Sequence, residues 1–253
     1  MINSVILFIR DTLPIFLLVS LLLSQSKVGL FPLLVGVSLG LLVACGLYLN
    51  LAALSMLAEG GGLELIKAVV LFATFIVLCI FISDAIAHSK RISLWATLVV
   101  VGITITNAIH FLIYSIAYWS VERADTSLIM GSIIGLGISL SVSVLLHSLV
   151  NAIRSTYVKL SALCVFCAGQ FAGATLLLEQ IDYLGVTERL WDASDWVADD
   201  SEYGHLLNVL FGYEATPSIA YISVYLLTVS MPFAYALIVR SVVTTRHEKG
   251  ALL

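Results

Sequence analysis

Seven apolar runs, each long enough to cross a bilayer, make up nearly all of this chain. They cover approximately residues 4–23, 29–54, 63–86, 93–119, 127–150, 157–178 and 217–239. A spanning helix needs roughly 20 apolar residues. Hydrophobic residues are 60% of the chain and charged residues 11%, whereas a soluble domain carries about 25% charged residues. Mean hydropathy is +1.08. The runs predict an all-α polytopic membrane protein with seven transmembrane helices in a single transmembrane domain. Function must then lie in what is polar inside or beside those helices.

The basic residues are sorted along the chain. With the N-terminus outside, Lys27, Lys90, Arg91, Arg154, Lys159, Arg240, Arg246 and Lys249 fall on inner loops and the C-terminal tail. Positive residues collect on the cytoplasmic side, so the expected orientation is N-out, C-in, in the cytoplasmic (inner) membrane. Arg10 and Lys67 sit within spans, and Arg123 and Arg189 lie on the other side. The acids gather outside: Glu59, Glu64, Glu122, Asp125, Glu179 and eight more in the long loop 180–216. Such a loop concentrates cations near the membrane. It is equally expected if external loops are acidic only because basic residues are excluded from them. The first run starts almost at Met1 without a basic leader or a small-residue cleavage site, and it reads as a span rather than a signal peptide. No basic patch points to nucleic acid.

Cys45, Cys79, Cys164 and Cys167 all lie in apolar runs, which argues against a disulfide framework. Cys164 and Cys167 share a helix face. Such a pair can bind a soft metal, but small buried packing residues are the expected role.

Ionisable residues at membrane depth are costly and are functional hypotheses by default. The first span carries Arg10 and Asp11, with Asp11 ~10 Å below the outer surface at 1.5 Å per residue. Pro14 follows and is expected to kink the helix and free a carbonyl. The fourth span carries Thr104, Thr106, Asn107 and His110, with Asn107 and His110 on one face. They lie ~21–25 Å from the cytoplasmic end, at a depth comparable to Asp11. The two clusters are therefore expected to meet, although Asn107 and His110 could also serve as interhelical glue alone. His147 lies near the inner end of the fifth span, within reach of water. Glu64 and Glu179 stand at the outer ends of spans three and six.

Spans one to three (1–90) and four to six (91–180) form two units of three helices. An odd number of spans inverts the second unit relative to the first, and the polar clusters fall on the first helix of each. The external acidic loop (180–216) and the seventh helix with its tail (217–253) follow. This layout resembles the high-affinity iron permease family, the oxidase-dependent iron transporters. The resemblance is strongest in LWDASDWVADDSEYGHLLNVLFGYEATPSIAYISVYLL, which looks like the family's last external loop and seventh helix. Asp192-Ala193-Ser194-Asp195 resembles its D-A-S-E element, FCAGQFAGA its small-residue sixth span, and Glu64 and Glu179 its glutamates at the third and sixth helix ends. The family's R-E-x-x-E motif in the first and fourth helices departs here. The first motif reads Arg10-Asp11-Thr12-Leu13-Pro14, and the second reads Thr106-Asn107-Ala108-Ile109-His110. One of four carboxylates remains.

The resemblance implies a permease, not an enzyme, that moves a metal cation, iron or another divalent ion, inward as cargo with no permanently bound cofactor. Asp11, Asn107 and His110 would be the intramembrane ligands. Glu64, Glu179, Asp192 and Asp195 would capture the ion, and Arg10 would balance charge. One carboxylate, one amide and one imidazole suit a divalent ion better than ferric iron. The implied partners are the lipid bilayer and an external oxidase or metal-delivery protein. The alternative is a non-transporting relative that serves as a structural or regulatory subunit of a larger membrane complex.

Overall fold

The computed structural model describes the backbone of residues 2–25, 27–87, 89–121, 126–185 and 188–250, and the side chains of these except 2–4, 59, 117–121, 126–129 and 239–250. Glu122, Arg123 and Asp125, and the side chains of Glu59, Arg240, Arg246 and Lys249, lie outside that description.

Among the described residues the chain forms nine α-helices: α1 (Ile2–Leu23), α2 (Leu30–Leu49), α3 (Leu51–Ser55), α4 (Gly62–Ile86), α5 (Ile92–Val121), α6 (Thr126–Ala152), α7 (Thr156–Gln180), α8 (Glu202–Phe211) and α9 (Ile219–Gly250). Seven of them (α1, α2, α4, α5, α6, α7 and α9) are long and apolar enough to cross a membrane. The protein is thus an all-α, seven-span, multi-pass membrane protein. Its boundaries follow the apolar runs, with three differences. The second run breaks at Asn50, whose side-chain amide turns back to the Gly46 carbonyl at 2.8 Å, so α2 ends and the short α3 follows. The seventh helix runs on into the tail. The acidic loop contains α8, a ten-residue helix too short to stand among the apolar runs. Pro14 lies inside α1, which stays helical across it.

The core is built from four central helices. Leu13, Leu17, Leu18 and Leu22 of α1, Leu78, Phe81 and Ile82 of α4, Val99, Val100 and Ile103 of α5, and Leu160, Leu163 and Cys167 of α7 are buried together. The other three spans, α2, α6 and α9, turn most of their side chains outward to the apolar surroundings that a bilayer supplies. The cysteines are free; Cys79, Cys164 and Cys167 are buried, in keeping with packing rather than bonding.

Two outer helices pack against helices distant in sequence: α2 lies along α5, and α6 lies along α1. Both contacts are made by small residues. A Cβ added at Gly40 of α2 would sit 2.6 Å from the Thr104 Cβ, and one at Gly135 of α6 would sit 2.6 Å from the Phe8 Cβ. Between helices in lipid, association comes from such close backbone approach and from interhelical hydrogen bonds. The α1–α6 contact adds a ladder of the latter. Thr12 and Ser139 hydroxyls meet at 3.1 Å, Ser20 and Ser143 at 2.5 Å, and Ser143 donates to the Phe16 carbonyl at 2.9 Å. His147 Nδ1 lies 3.2 Å from the Ser20 carbonyl oxygen, so this histidine extends the ladder.

The loop between α7 and α9 is folded. Backbone hydrogen bonds from Leu190 to Pro217 (3.0 Å) and from Ala193 to Ala215 (2.9 Å) tie its two arms. Ser201 caps α8 by accepting from the Gly204 amide at 2.9 Å, and Gly212 ends it in the left-handed region at φ 67°. The Gly212 backbone rests on Gly169 of α7, which seats the loop on the bundle.

The close-approach packing predicts an asymmetry between neighbouring glycines of one helix. Gly135→Val should lower the thermal midpoint in detergent by the equivalent of about 1–3 kcal/mol, the usual cost of overpacking. Gly137→Val, where nothing lies within 4 Å, should cost less than ~1 kcal/mol, the helix-propensity range. Equal shifts for the two variants would contradict the packing described.

Candidate functional site

The polar residues of the first and fourth spans do come together, and a residue of the third span joins them. Asp11 is only 4% exposed and Lys67 only 3%. Within α1, Arg10 Nε donates to Asp11 Oδ1 at 3.1 Å. The Arg10 guanidinium carbon stands over the Tyr114 ring of α5, 5.1 Å from its centroid, a cation–π arrangement. Tyr114 is one turn on from His110, and their rings stack with centroids 6.4 Å apart. His110 Nε2 is 2.6 Å from Lys67 Nζ of α4. The Lys67 charge in turn acts on Asp11 and on Glu64, one turn away on the same helix. Phe8 and Phe111, edge to face at 5.0 Å, close the α1–α5 contact beside the cluster.

Two consequences follow from these contacts. Asp11 Oδ2 is buried with no hydrogen-bond partner among the described residues, so one carboxylate oxygen is uncommitted at membrane depth. His110 Nε2 is engaged: a charged Lys67 ammonium can only donate, so Nε2 accepts from it, and a metal ion can take that lone pair only if Lys67 moves away. With Arg10, Asp11, Lys67 and Glu64 ionised and His110 neutral, the charges balance.

The other expected ligands are dispersed. The Asn107 amide donates to its own helix at the Ile103 carbonyl (2.9 Å) and toward Gln170 Oε1 of α7 (3.4 Å). Thr104 faces α2, and Thr106 bonds back to α5. Glu179 Oε2 lies 3.7 Å from an Arg189 terminal nitrogen. Asp192 is exposed and accepts from the Ser194 amide at 2.9 Å; hydrogen bonding from the Ser194 side chain, and then from its amide, holds the carboxyl below its ordinary value. Asp195 is exposed beside it. Among the described residues no three His, Cys, Asp or Glu side chains converge as a metal site would require. Glu64 does line a cleft of about 820 Å³ between the start of α4 and the end of α7, with Gln180, Asp182 and Tyr183 opposite. Glu64 stands one turn before Lys67 on α4, so one wall of this cleft belongs to the helix that carries the lysine.

Lys67, Tyr114 and Gln170 belong to the site and were not singled out from sequence. Lys67 carried a usable signal: a lysine in the middle of an apolar run has to find a partner. Tyr114 and Gln170 carried none beyond helical spacing from His110 and a polar residue amid small ones. No protein-family model, curated protein or solved structure matches the chain.

Outside the membrane segment, Glu214 is the titrating group of the loop. Burial raises its carboxyl above the ordinary 4.5, Asp199 and Glu179 push the same way, and Arg189 opposes. A carboxyl raised on folding stabilises the fold below its unfolded value and loses that contribution as pH rises through the folded value. Amide exchange in 188–218 should therefore quicken as pH rises above 4.5 beyond the intrinsic exchange rate. Glu214→Gln should remove that increment and protect the loop at neutral pH. An unchanged profile in the variant would assign the pH dependence elsewhere.

Proposed function

We propose that this multi-pass membrane protein is a metal-cation permease related to the high-affinity iron permeases, with Lys67 as a resident cation at its intramembrane site. The observation that carries the reading is the Asp11–Lys67–His110 constellation. It joins three helices at membrane depth, and Glu64, one turn before Lys67 on α4, lines a cleft with Asp182 at the loop end of the bundle. Buried ionisable residues in spans characteristically mark ion pathways. A cation that enters past Glu64 meets the free Asp11 oxygen. To take His110 as well, it must displace the Lys67 ammonium. The incoming ion then replaces one departing positive charge, so a divalent ion adds one net charge to the site and a trivalent ion two. A divalent ion fits this exchange better than a trivalent one, because one carboxylate and one imidazole replace too little of a trivalent ion's hydration. The orientation is N-out, C-in in the cytoplasmic membrane, from the distribution of Lys and Arg. The folded acidic loop then lies outside, where an oxidase or metal-delivery protein would hand over the ion. The two three-helix units are inverted with respect to each other, a reading that the packing of α2 along α5 and of α6 along α1 supports.

The same 2.6 Å contact favours one rival. A lysine permanently bonded to His110 would suit a relative that has kept the bundle and lost the ion path, serving a larger membrane complex.

Uptake of ferrous, ferric and manganous ions into proteoliposomes separates the two. The permease reading expects divalent uptake by the wild type, and a loss in Asp11→Asn of about 1.5–3 kcal/mol of interaction with the ion, tenfold or more in rate. No uptake by the wild type, with uptake gained in Lys67→Gln, would favour the closed relative. No uptake by either would end the permease reading.

A further inference from the structure

A second site lies on the other side of Arg10. A groove of about 350 Å³ runs between α1, α6 and α8. Its floor is apolar, formed by Val5, Ile9, Leu13, Ile138 and Val142, and its rim carries Arg10, Glu202 and His205. The Arg10 side chain is 37% exposed although it sits within a span. Its Nε serves Asp11, and its two terminal nitrogens have no hydrogen-bond partner among the described residues. The side chains of Glu202 and His205 lie one turn apart on α8 and are likewise uncommitted. From the start of the apolar span at Val5, Arg10 is ~8 Å deep at 1.5 Å per residue. That is within the reach of a long side chain that extends toward the headgroup level.

We infer that this groove binds one phospholipid with a primary-amine headgroup, a phosphatidylethanolamine. The charge pattern selects the occupant. Arg10 has Asp11 on its Nε side, and its exposed terminal nitrogens can take a second anion; a phosphodiester offers the oxygens that they and an imidazole N–H can share. Glu202 on the same rim opposes a purely anionic head and offers an acceptor to an ammonium. A zwitterionic head with N–H donors satisfies all three side chains. A choline head has no N–H to donate, and a glycerol head has no positive charge. The acyl chain would lie along Val5, Ile9 and Leu13 of α1 against Ile138 and Val142 of α6, where α8 roofs the groove. The groove shares Arg10 with the charge cluster and none of its other residues, and lipid binding there does not depend on transport.

Native mass spectrometry tests this on the full chain, delipidated and offered phosphatidylethanolamine, phosphatidylcholine and phosphatidylglycerol of equal chain length. The expected result is one tightly retained phosphatidylethanolamine per chain in preference to the other two. Glu202→Gln should erase the preference over phosphatidylcholine. His205→Ala should weaken retention of both, and Ile138→Trp, which fills the floor, should abolish tight retention without touching a charge. Equal retention of all three lipids by the wild type, or a preference that survives all three variants, would reduce the groove to ordinary lipid contact and overturn the proposal. Soluble glycerophosphoethanolamine serves as a headgroup probe. If it displaces the lipid at equal concentration, the apolar groove contributes nothing, which also overturns it.

Discussion

Removing a carboxylate from water costs several kcal/mol even after the surroundings relax, and Asp11 is buried inside a spanning helix. That requirement organises the centre of the bundle. Arg10 answers it from the adjacent position on α1 and is itself held by Tyr114 of α5. Lys67 answers it from α4 and is held by His110 of α5. Each cation thus has an aromatic or imidazole support on α5, so the compensation of one acid couples three helices. Removing Asp11 or Lys67 alone leaves an uncompensated buried charge.

The helix arrangement that permits this rests on small residues. Gly40 lets α2 lie close against α5, and Gly135 with the serine ladder lets α6 lie close against α1. With those outer faces covered, α1 and α5 turn their polar turns toward each other and toward α4. The outer helices then present leucine, isoleucine and valine to their surroundings, for example Leu42, Ile133 and Leu237. Packing and electrostatics therefore meet on the same two helices. Arg10 stands at the junction, with one side on the charge cluster and the other on the groove under α8.

Much of this architecture was legible in the sequence, because hydrophobic length is a direct physical requirement of the bilayer. All seven spans could be read from it. That the polar turns of spans one and four come together was legible from depth. Lys67 was not placed, because a lysine within an apolar run says that a partner exists without saying on which helix. Asn107 was grouped with His110 by its helical spacing, yet its amide turns to Gln170 of α7, a choice made by tertiary packing. The helix α8 hid in an acidic loop, although Ser201 before it and Gly212 after it are a cap and a stop of the usual kinds. The cleft beside Glu64 and the groove beside Arg10 depend on how loops fold back on the bundle, which no local pattern encodes.

The most direct test of a charge-compensated centre is a double-mutant cycle between Asp11→Asn and Lys67→Met, read by unfolding in detergent. Each single change leaves an unbalanced buried charge, whereas the double change removes both. Coupling of roughly 1 kcal/mol or more, with the double variant less destabilised than the sum of the singles, is the expected result. Additive effects within about 0.5 kcal/mol would show that Asp11 and Lys67 do not share a site, and the centre described here would be wrong.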